Sequence, residues 1–274
     1  MVRTIKTKRE ANNEAITGDF RTSKSHLAFQ EGAQSVHRAI LLLRTVATSN
    51  EQGIRLSHIA KKADLSIPTA HRILTALPSE GFLEYNQSSK YYHIGIELYA
   101  LGSKAQQFAL REHYRTCLEN IARETHDSVY LVVRSGFDAL CIDDIEGKST
   151  IRIMAYNLGA RRPLGIGAGS LTLLAFSPDE EIEKILKANA LRYRQSNQMT
   201  VLKLRGLIKR TRELGYAFNE GHFMKGINAV GVPILNDQGY VVAAVSVGSI
   251  SERIDRVRSK KIAELIKSEI TLMR

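Results

Sequence analysis

The chain has only two cysteines, Cys117 and Cys141, among 274 residues. Without zinc-like spacing, they exclude a disulfide-stapled scaffold and a cysteine-rich zinc finger. No run of about 18 apolar residues occurs, so a membrane-spanning helix is excluded. The opening stretch, MVRTIKTKREANNEAITGD, is basic with no apolar segment behind it. A secretory signal is therefore not expected, and the expected compartment is the cytoplasm. Internal repeats and low-complexity tracts are missing. A nucleophile elbow, an HExxH pair and a cluster of metal-ligating side chains are missing too, so neither metal nor cofactor is expected. The composition is ordinary, with 43% hydrophobic and 24% charged residues, which rules out disorder throughout. Lys and Arg outnumber Asp and Glu by 39 to 28, a net charge of +11 that points toward polyanionic partners.

The pattern changes along the chain. Residues 1–32 are polar, with six basic against three acidic side chains in the first 30, and read as a flexible basic arm. Val36, Ala39, Ile40, Leu42, Leu43 and Val46 then recur at close to 3.6 residues and predict a buried helix. A short helix is expected over about Leu56–Ala63, capped by Ser57, with Ile59 and Ala60 inward. Another begins at Ser66, with Ile67 and Pro68 in its first turn and Ala70, Ile73, Leu74 and Leu77 as its apolar stripe. Gly81 suits its end. FLEYNQSSKYYHIG reads as a β-hairpin turning over Asn86–Lys90.

Helix, helix, turn, helix and hairpin over residues 33–95 make a winged helix-turn-helix. At about 100° per residue, the face opposite the third helix's stripe holds Pro68, Arg72, Thr75 and Ser79, flanked by Ser66, Thr69 and His71. It carries donors and no bulky apolar side chain. Arg72 suits guanine edges, and Thr69 and Thr75 suit phosphates or a thymine methyl. Gln87, Ser88 and Lys90 stand at the hairpin tip, where a wing meets the DNA backbone. Double-stranded DNA is thus the expected partner, although residues 31–95 carry a net charge of only +2.

A long Pro-free helical pattern follows over Ile96–Thr125. Residues 96–112 read as a linker helix with Gly102 as its weak point, and residues 113–274 as a second domain. There VYLVV (129–133), ALCID (139–143) and TIRIMA (150–155) look like strands. Pro178–Lys187 and Leu202–Leu214 look like helices. Ala229–Leu235 and Tyr240–Val247 form a hairpin, and a last helix runs from about Arg253. Strands mixed with helices at these lengths give an α+β fold. Within LGIGAGSLTLLAF, Gly165, Gly167 and Gly169 precede a helix expected to start near Ser170. Outward backbone N–H groups and a helix N-terminus favour a small carboxylate. Three glycines equally permit a tight packed turn, and the residues alone leave both readings open. A Walker loop is excluded because no Gly-Lys-Ser/Thr follows.

SVHRAILLLRTVA, LSHIAKKADLSIPTAHRILTALPSEGFLEY, GAGSLTLLAF and RELGYAFNEGHFMKGINAVGVPILNDQGYVVAAVSV together resemble the IclR family of bacterial transcription regulators, over about residues 33–265. The resemblance implies an N-terminal winged helix, a linker helix and a C-terminal GAF- or profilin-like effector domain. It also implies a homodimer or dimer of dimers on a palindromic operator, repressing or activating, with a small organic acid as effector. The effector positions it implies are Gly167, Ala168, Gly169, Ser170, Asn219, Ala229, Ser246 and Gly248. This sequence departs from the family's glyoxylate- and pyruvate-binding pattern. That pattern has an acidic residue where Asn219 stands, cysteine at Ala229, a second serine at Gly248 and lysine at Ser170. Ser249 replaces the missing serine only if the strand register shifts. The less polar set implies a larger or aromatic acid, with Ile142 and Met154 as candidate lining.

Two other function classes make different demands on these residues. A Cys-dependent enzyme requires Cys141 and Asp143, which alternation puts on one strand face, together with Asp144, to meet His126 or His222. A sequence-independent architectural DNA binder has no use for a second domain with a glycine-lined turn.

Overall fold

A computed structural model describes residues 33–148, 157–195, 199–222 and 224–273. The basic arm and the strand expected over 150–155, with Met154, lie outside the described residues. The chain divides into two compact units, one ending at Gln106 and the other beginning at Gln107.

The first unit runs α1 (Gln34–Ala47), β1 (Ile54–Arg55), α2 (Leu56–Lys62), α3 (Ile67–Ser79), β2 (Leu83–Asn86), β3 (Tyr91–Ile94) and α4 (Ile96–Gly102). Its strands form an antiparallel sheet in the order β1-β3-β2. Two residues have no period of their own, so β1 is fixed only by Ile54 pairing with Tyr92 and Arg55 with Tyr91. Leu42, Val46, Ile59, Ala60, Ala70, Leu74, Leu83 and Tyr92 form the core.

Three expectations are corrected in this unit. α1 buries only the C-terminal half of its apolar stripe, since Val36 and Ile40 are 59% and 41% exposed. α2 starts one residue before Ser57, so extended Arg55 holds the cap position and Ser57 lies in the first turn. The linker helix expected over 96–112 is interrupted. α4 ends at Gly102, and α5 (Gln106–Thr125) opens after a turn. Glycine has the lowest helix propensity short of proline. The Ser103 hydroxyl donates back to the Ala100 carbonyl at 2.9 Å and supports the termination.

The second unit continues from α5 through β4 (Ser128–Ser135), β5 (Asp138–Ile145), β6 (Arg161–Pro163), α6 (Ala168–Ala175), α7 (Asp179–Gln195), α8 (Val201–Leu214), β7 (Ala217–Glu220), β8 (Ile227–Leu235), β9 (Val241–Ile250) and α9 (Arg256–Leu272). Its antiparallel sheet has the order β6-β5-β4-β9-β8-β7. Strand alternation sorts side chains between two layers. Val129, Leu131, Val245 and Val247 pack with Leu118 and Ile121 of α5 and Ile262 and Ile266 of α9. Tyr130, Val132 and Ala244 pack with α6, α7 and α8.

A bulge interrupts the alternation on β5. Val132 pairs with Cys141 and Leu131 with Asp143, so Ile142 is the extra residue. Cys141 packs with the α6 layer. Asp143 turns to α5, where Arg115 Nη1 donates to it at 2.7 Å. The expected shared face of Cys141 and Asp143 is overturned, and Ile142 packs into the α5–α9 core rather than lining a ligand site.

One buried carboxylate ties three segments of this unit. Asp127 accepts hydrogen bonds from Ser249 Oγ (2.6 Å), Arg253 Nε (2.8 Å) and Arg258 Nη2 (2.8 Å). This engagement also settles Ser249, which faces Asp127 and does not take the place of a serine at 248. Removing one partner of a buried pair strands the remaining charges, at about 3–5 kcal/mol. The two guanidinium groups here are one-third exposed, which places the effect at the lower end. Asp127→Asn is expected to cost about 3 kcal/mol, or roughly 6–12 °C in Tm at this size, readable by thermal and urea denaturation. A shift under about 1 kcal/mol would show that Asp127 is not the tie described.

Candidate functional site

The third helix presents the expected face. Ser66 caps α3, its Oγ accepting from the Thr69 N–H at 3.4 Å and meeting Thr69 Oγ1 at 2.8 Å. Ser66, Pro68, His71, Arg72, Thr75 and Ser79 are exposed and Thr69 is half-buried, opposite buried Ala70 and Leu74. Two of the hydroxyls are already engaged. Thr75 donates to the His71 carbonyl and Ser79 to that of Ala76, both at 2.8 Å.

At the hairpin tip, Gln87, Ser88 and Lys90 are exposed. Asn86, which the sequence reading left as a plain turn residue, builds this tip. Its Oδ1 accepts from the backbone N–H of Ser88 and Ser89 and from the Ser88 hydroxyl. Lys90 Nζ stands 6.0 Å from the Tyr85 ring centre, and the Arg55 guanidinium 5.0 Å from that of Tyr91. The second pair was invisible without β1.

In the second unit the glycine-rich segment becomes a loop and a buried helix. All eight residues of α6 are buried, as suits a helix with no charged side chain and both hydroxyls bonded internally. It lies directly on the sheet, because a Cβ at Gly231 would come 2.6 Å from the Ala168 carbonyl oxygen. The helix starts at Ala168, two residues before the expected Ser170. Gly167 precedes it at φ +90°, and no side chain caps this end. The first N–H groups therefore lack a side-chain partner, and a space adjoins this end of the helix. The Ser170 hydroxyl is engaged in the loop, accepting from the Gly165 N–H at 3.0 Å and donating to the Pro163 carbonyl at 3.1 Å.

That space is a cavity. All eight anticipated positions line it: Gly167, Ala168, Gly169 and Ser170 from the helix start, Asn219 from β7, Ala229 from β8, Ser246 and Gly248 from β9. Tyr130, Val132, Arg162, Ile166, Met224 and Ile227 complete the wall and were missed by sequence reading. Arg162 had one signal, a basic side chain immediately before the Pro163 turn. Tyr130 follows from the alternation of VYLVV once the sheet face is known. The wall is largely apolar, and Arg162 brings a positive charge to it. Burial raises the Tyr130 phenol to about 12, so it stays protonated at neutral pH. Asn219 is buried, and its Oδ1 accepts from the His222 N–H at 3.1 Å.

The enzyme constellation is not assembled. The Cys141 thiol is 1% exposed, donates to the Asp143 carbonyl at 3.3 Å, and is pushed well above its usual range chiefly by burial. The Asp143 carboxylate lies on the other layer with Arg111 and Arg115. Asp144, also raised by burial, and the two histidines make no hydrogen bond to the thiol among the described residues. Among those residues there is also no group of three potential metal ligands, and no helix long and apolar enough to cross a membrane.

A winged reader with an exposed polar helix, joined to a second unit with a small-molecule-sized cavity, defines a DNA-binding transcriptional regulator. The C-terminal domain of bacterial IclR transcriptional regulators matches residues 103–270, and the IclR helix-turn-helix domain matches residues 35–87. The chain belongs to the IclR family. It is 28% identical over 243 residues to the HTH-type transcriptional repressor AllR of Escherichia coli K12, covering 87% of this chain and 88% of that one. It resembles the crystal structure of the Thermotoga maritima IclR, with 26% identity, TM-score 0.65, and coverage of 88% and 97%. It shares its fold with an IclR homolog from Microbacterium hydrocarbonoxydans complexed with 4-hydroxybenzoate, at 20% identity, TM-score 0.74, and coverage of 87% and 98%. These relatives are regulators and not enzymes, which agrees with the dispersed Cys141 constellation.

The cavity floor offers a clean substitution. A Cβ on Gly248 would lie 3.7 Å from Tyr130 Cε2 and 4.0 Å from the Ala229 Cβ, ordinary contacts on unstrained backbone. Gly167 is a poorer choice, because its φ of +90° penalises any side chain regardless of space. Gly248→Val is expected to fold with Tm within a few degrees of the wild type and to lose the thermal stabilisation given by a carboxylate that stabilises the wild type. Saturating ligand raises stability by RT ln(1 + [L]/Kd), about 2.7 kcal/mol at 100 Kd. A full response by Gly248→Val would remove the cavity from consideration.

Proposed function

We propose that this regulator binds a palindromic operator as a dimer, each winged unit reading one half-site, and that a small aromatic acid in the cavity of the second unit alters that binding. The observation that carries the effector reading is the cavity wall. Residues distant in sequence converge on a largely apolar space with a cationic side chain and an uncapped helix N-terminus at its edge. An apolar body with one carboxylate fits that distribution better than a small polar acid. The 4-hydroxybenzoate held by a protein of the same fold supports it.

Dimer formation is supported by apolar surface in the first unit. Val36 and Ile40 of α1 are exposed, as are Ile96, Tyr99 and Leu101 of α4, which buries no residue of its own. Coupling is supported by the ties of α5. Arg111 and Arg115 hold the Asp143 carboxylate of β5, and Cys141 two residues earlier packs in the same core as cavity-wall Val132. An architectural binder has no need of these features.

Arg72→Ala is expected to weaken operator binding by about 1–3 kcal/mol and to relax specificity at one base position. Equal losses on operator and random duplex would make Arg72 a phosphate contact. Coupling has a separate test, because linkage makes it reciprocal. If 4-hydroxybenzoate changes operator affinity by a factor of about 5–150, operator DNA must change 4-hydroxybenzoate affinity by the same factor. Calorimetric and fluorescence titrations with each ligand absent and saturating decide this. Binding of both ligands with no mutual effect would refute an effector role.

A further inference from the structure

We propose that the ligand site continues past Asn219 into a second chamber, where Asn219 and His222 together read a hydroxyl group on the end of the ligand remote from its acid. This rests on the reading that an organic acid occupies the main cavity.

The second chamber is smaller and shares Ile166, Gly167 and Asn219 with the first. Leu171, Met199 and Leu207 give it apolar walls, and His222 is its other polar side chain. Asn219 stands between the chambers in a fixed sense. Its Oδ1 takes the His222 backbone N–H, so the amide's NH2 end is the one left for a ligand. The His222 Nδ1 is buried and has no hydrogen-bond partner among the described residues. Buried polar atoms are nearly always paired. With the ring proton on Nε2, His222 Nδ1 is an acceptor, and one donor and one acceptor on residues joined by a hydrogen bond match a hydroxyl, which accepts from Asn219 and donates to His222. A ketone or carboxylate matches only the first, and an unsubstituted ring edge matches neither.

The acceptor role requires a neutral imidazole. Burial lowers the His222 pKa from its ordinary value, assisted by Lys203 and Arg210 and opposed by Glu220. The neutral ring is therefore favoured, and the protonation that would remove the Nδ1 acceptor is displaced to lower pH than in a free imidazole.

The test is calorimetric titration of the full chain with benzoate and with 4-hydroxybenzoate. The wild type is expected to prefer 4-hydroxybenzoate by about 3- to 10-fold, the worth of one net hydrogen bond. His222→Phe is expected to bind benzoate as the wild type does, which also certifies its fold, and to lose most of the preference. His222→Gln, which retains an acceptor, restores part of it should the phenylalanine variant not fold. In the wild type the preference shrinks as the pH is lowered and the ring gains its proton; in His222→Phe the ratio stays flat. Equal affinity of the wild type for both acids, or a preference that survives in His222→Phe, overturns the inference and leaves the acid reading intact. Failure of either acid to bind the wild type defeats the aromatic-acid reading, and the inference with it.

Discussion

Helix α6 can lie where it does only because position 231 carries no side chain. The Ala168 carbonyl oxygen and Thr172 Oγ1 would each be 2.6 Å from a Cβ there, well inside contact distance. A Cβ on Gly169 would likewise stand 2.8 Å from Val132 Cγ2 on the sheet below. Two bare positions therefore let an uncharged helix settle onto the strands and be buried on every side. The seating has a consequence at the helix start. The uncapped N–H groups are held beside Ser246 and Gly248 of the same sheet, and the space between becomes the cavity. Packing density and site geometry thus have one cause, and a helix raised by one side chain would supply neither.

The electrostatics of the cavity follow from that placement. An ion in an apolar cavity pays heavily in lost hydration unless charge and hydrogen bonds replace the water. α6 contributes its positive end, and Arg162 contributes a full charge from the short strand β6, where Pro163 pairs with Asp138. The floor adds no competing anion. Asn219 is neutral where the family's small-acid pattern has an acidic side chain, and the buried Tyr130 phenol remains neutral at pH 7. The balance favours one negative charge on an otherwise apolar body.

Much of this was legible in the sequence, for identifiable reasons. The α3 stripe and its Ser66 cap are local, and the cap hydrogen bond spans three residues. The glycine turn and strands β8 and β9 carry strong composition signals. What escaped was set by partners far along the chain. β1 exists because Ile54 finds Tyr92. The turn of Asp143 toward α5 depends on a bulge set by pairing with β4. Val36 and Ile40 obey the helical period as well as Leu42 does, yet period cannot say where the neighbouring core stops. Arg162 and Tyr130 join the site through sheet order, which composition does not encode.

The reading face shows how internal satisfaction narrows function. Exposure alone would credit Ser66, Thr69, Thr75 and Ser79 with DNA contacts. Yet the first two bond each other, and the last two return their hydroxyl protons to helix carbonyls. A hydroxyl so engaged still accepts a bond, but its donor is spent unless the rotor turns. Base edges in the major groove are read best by fixed multi-donor groups, above all by arginine on guanine. On the proposed reading, base discrimination falls on Arg72, with His71 beside it, in the first half of α3. Recognition helices enter the groove by their N-terminal residues. The serine and threonine hydroxyls are spent on the helix itself, and the Asn86-fastened tip leaves Lys90 exposed for the proposed phosphate contact.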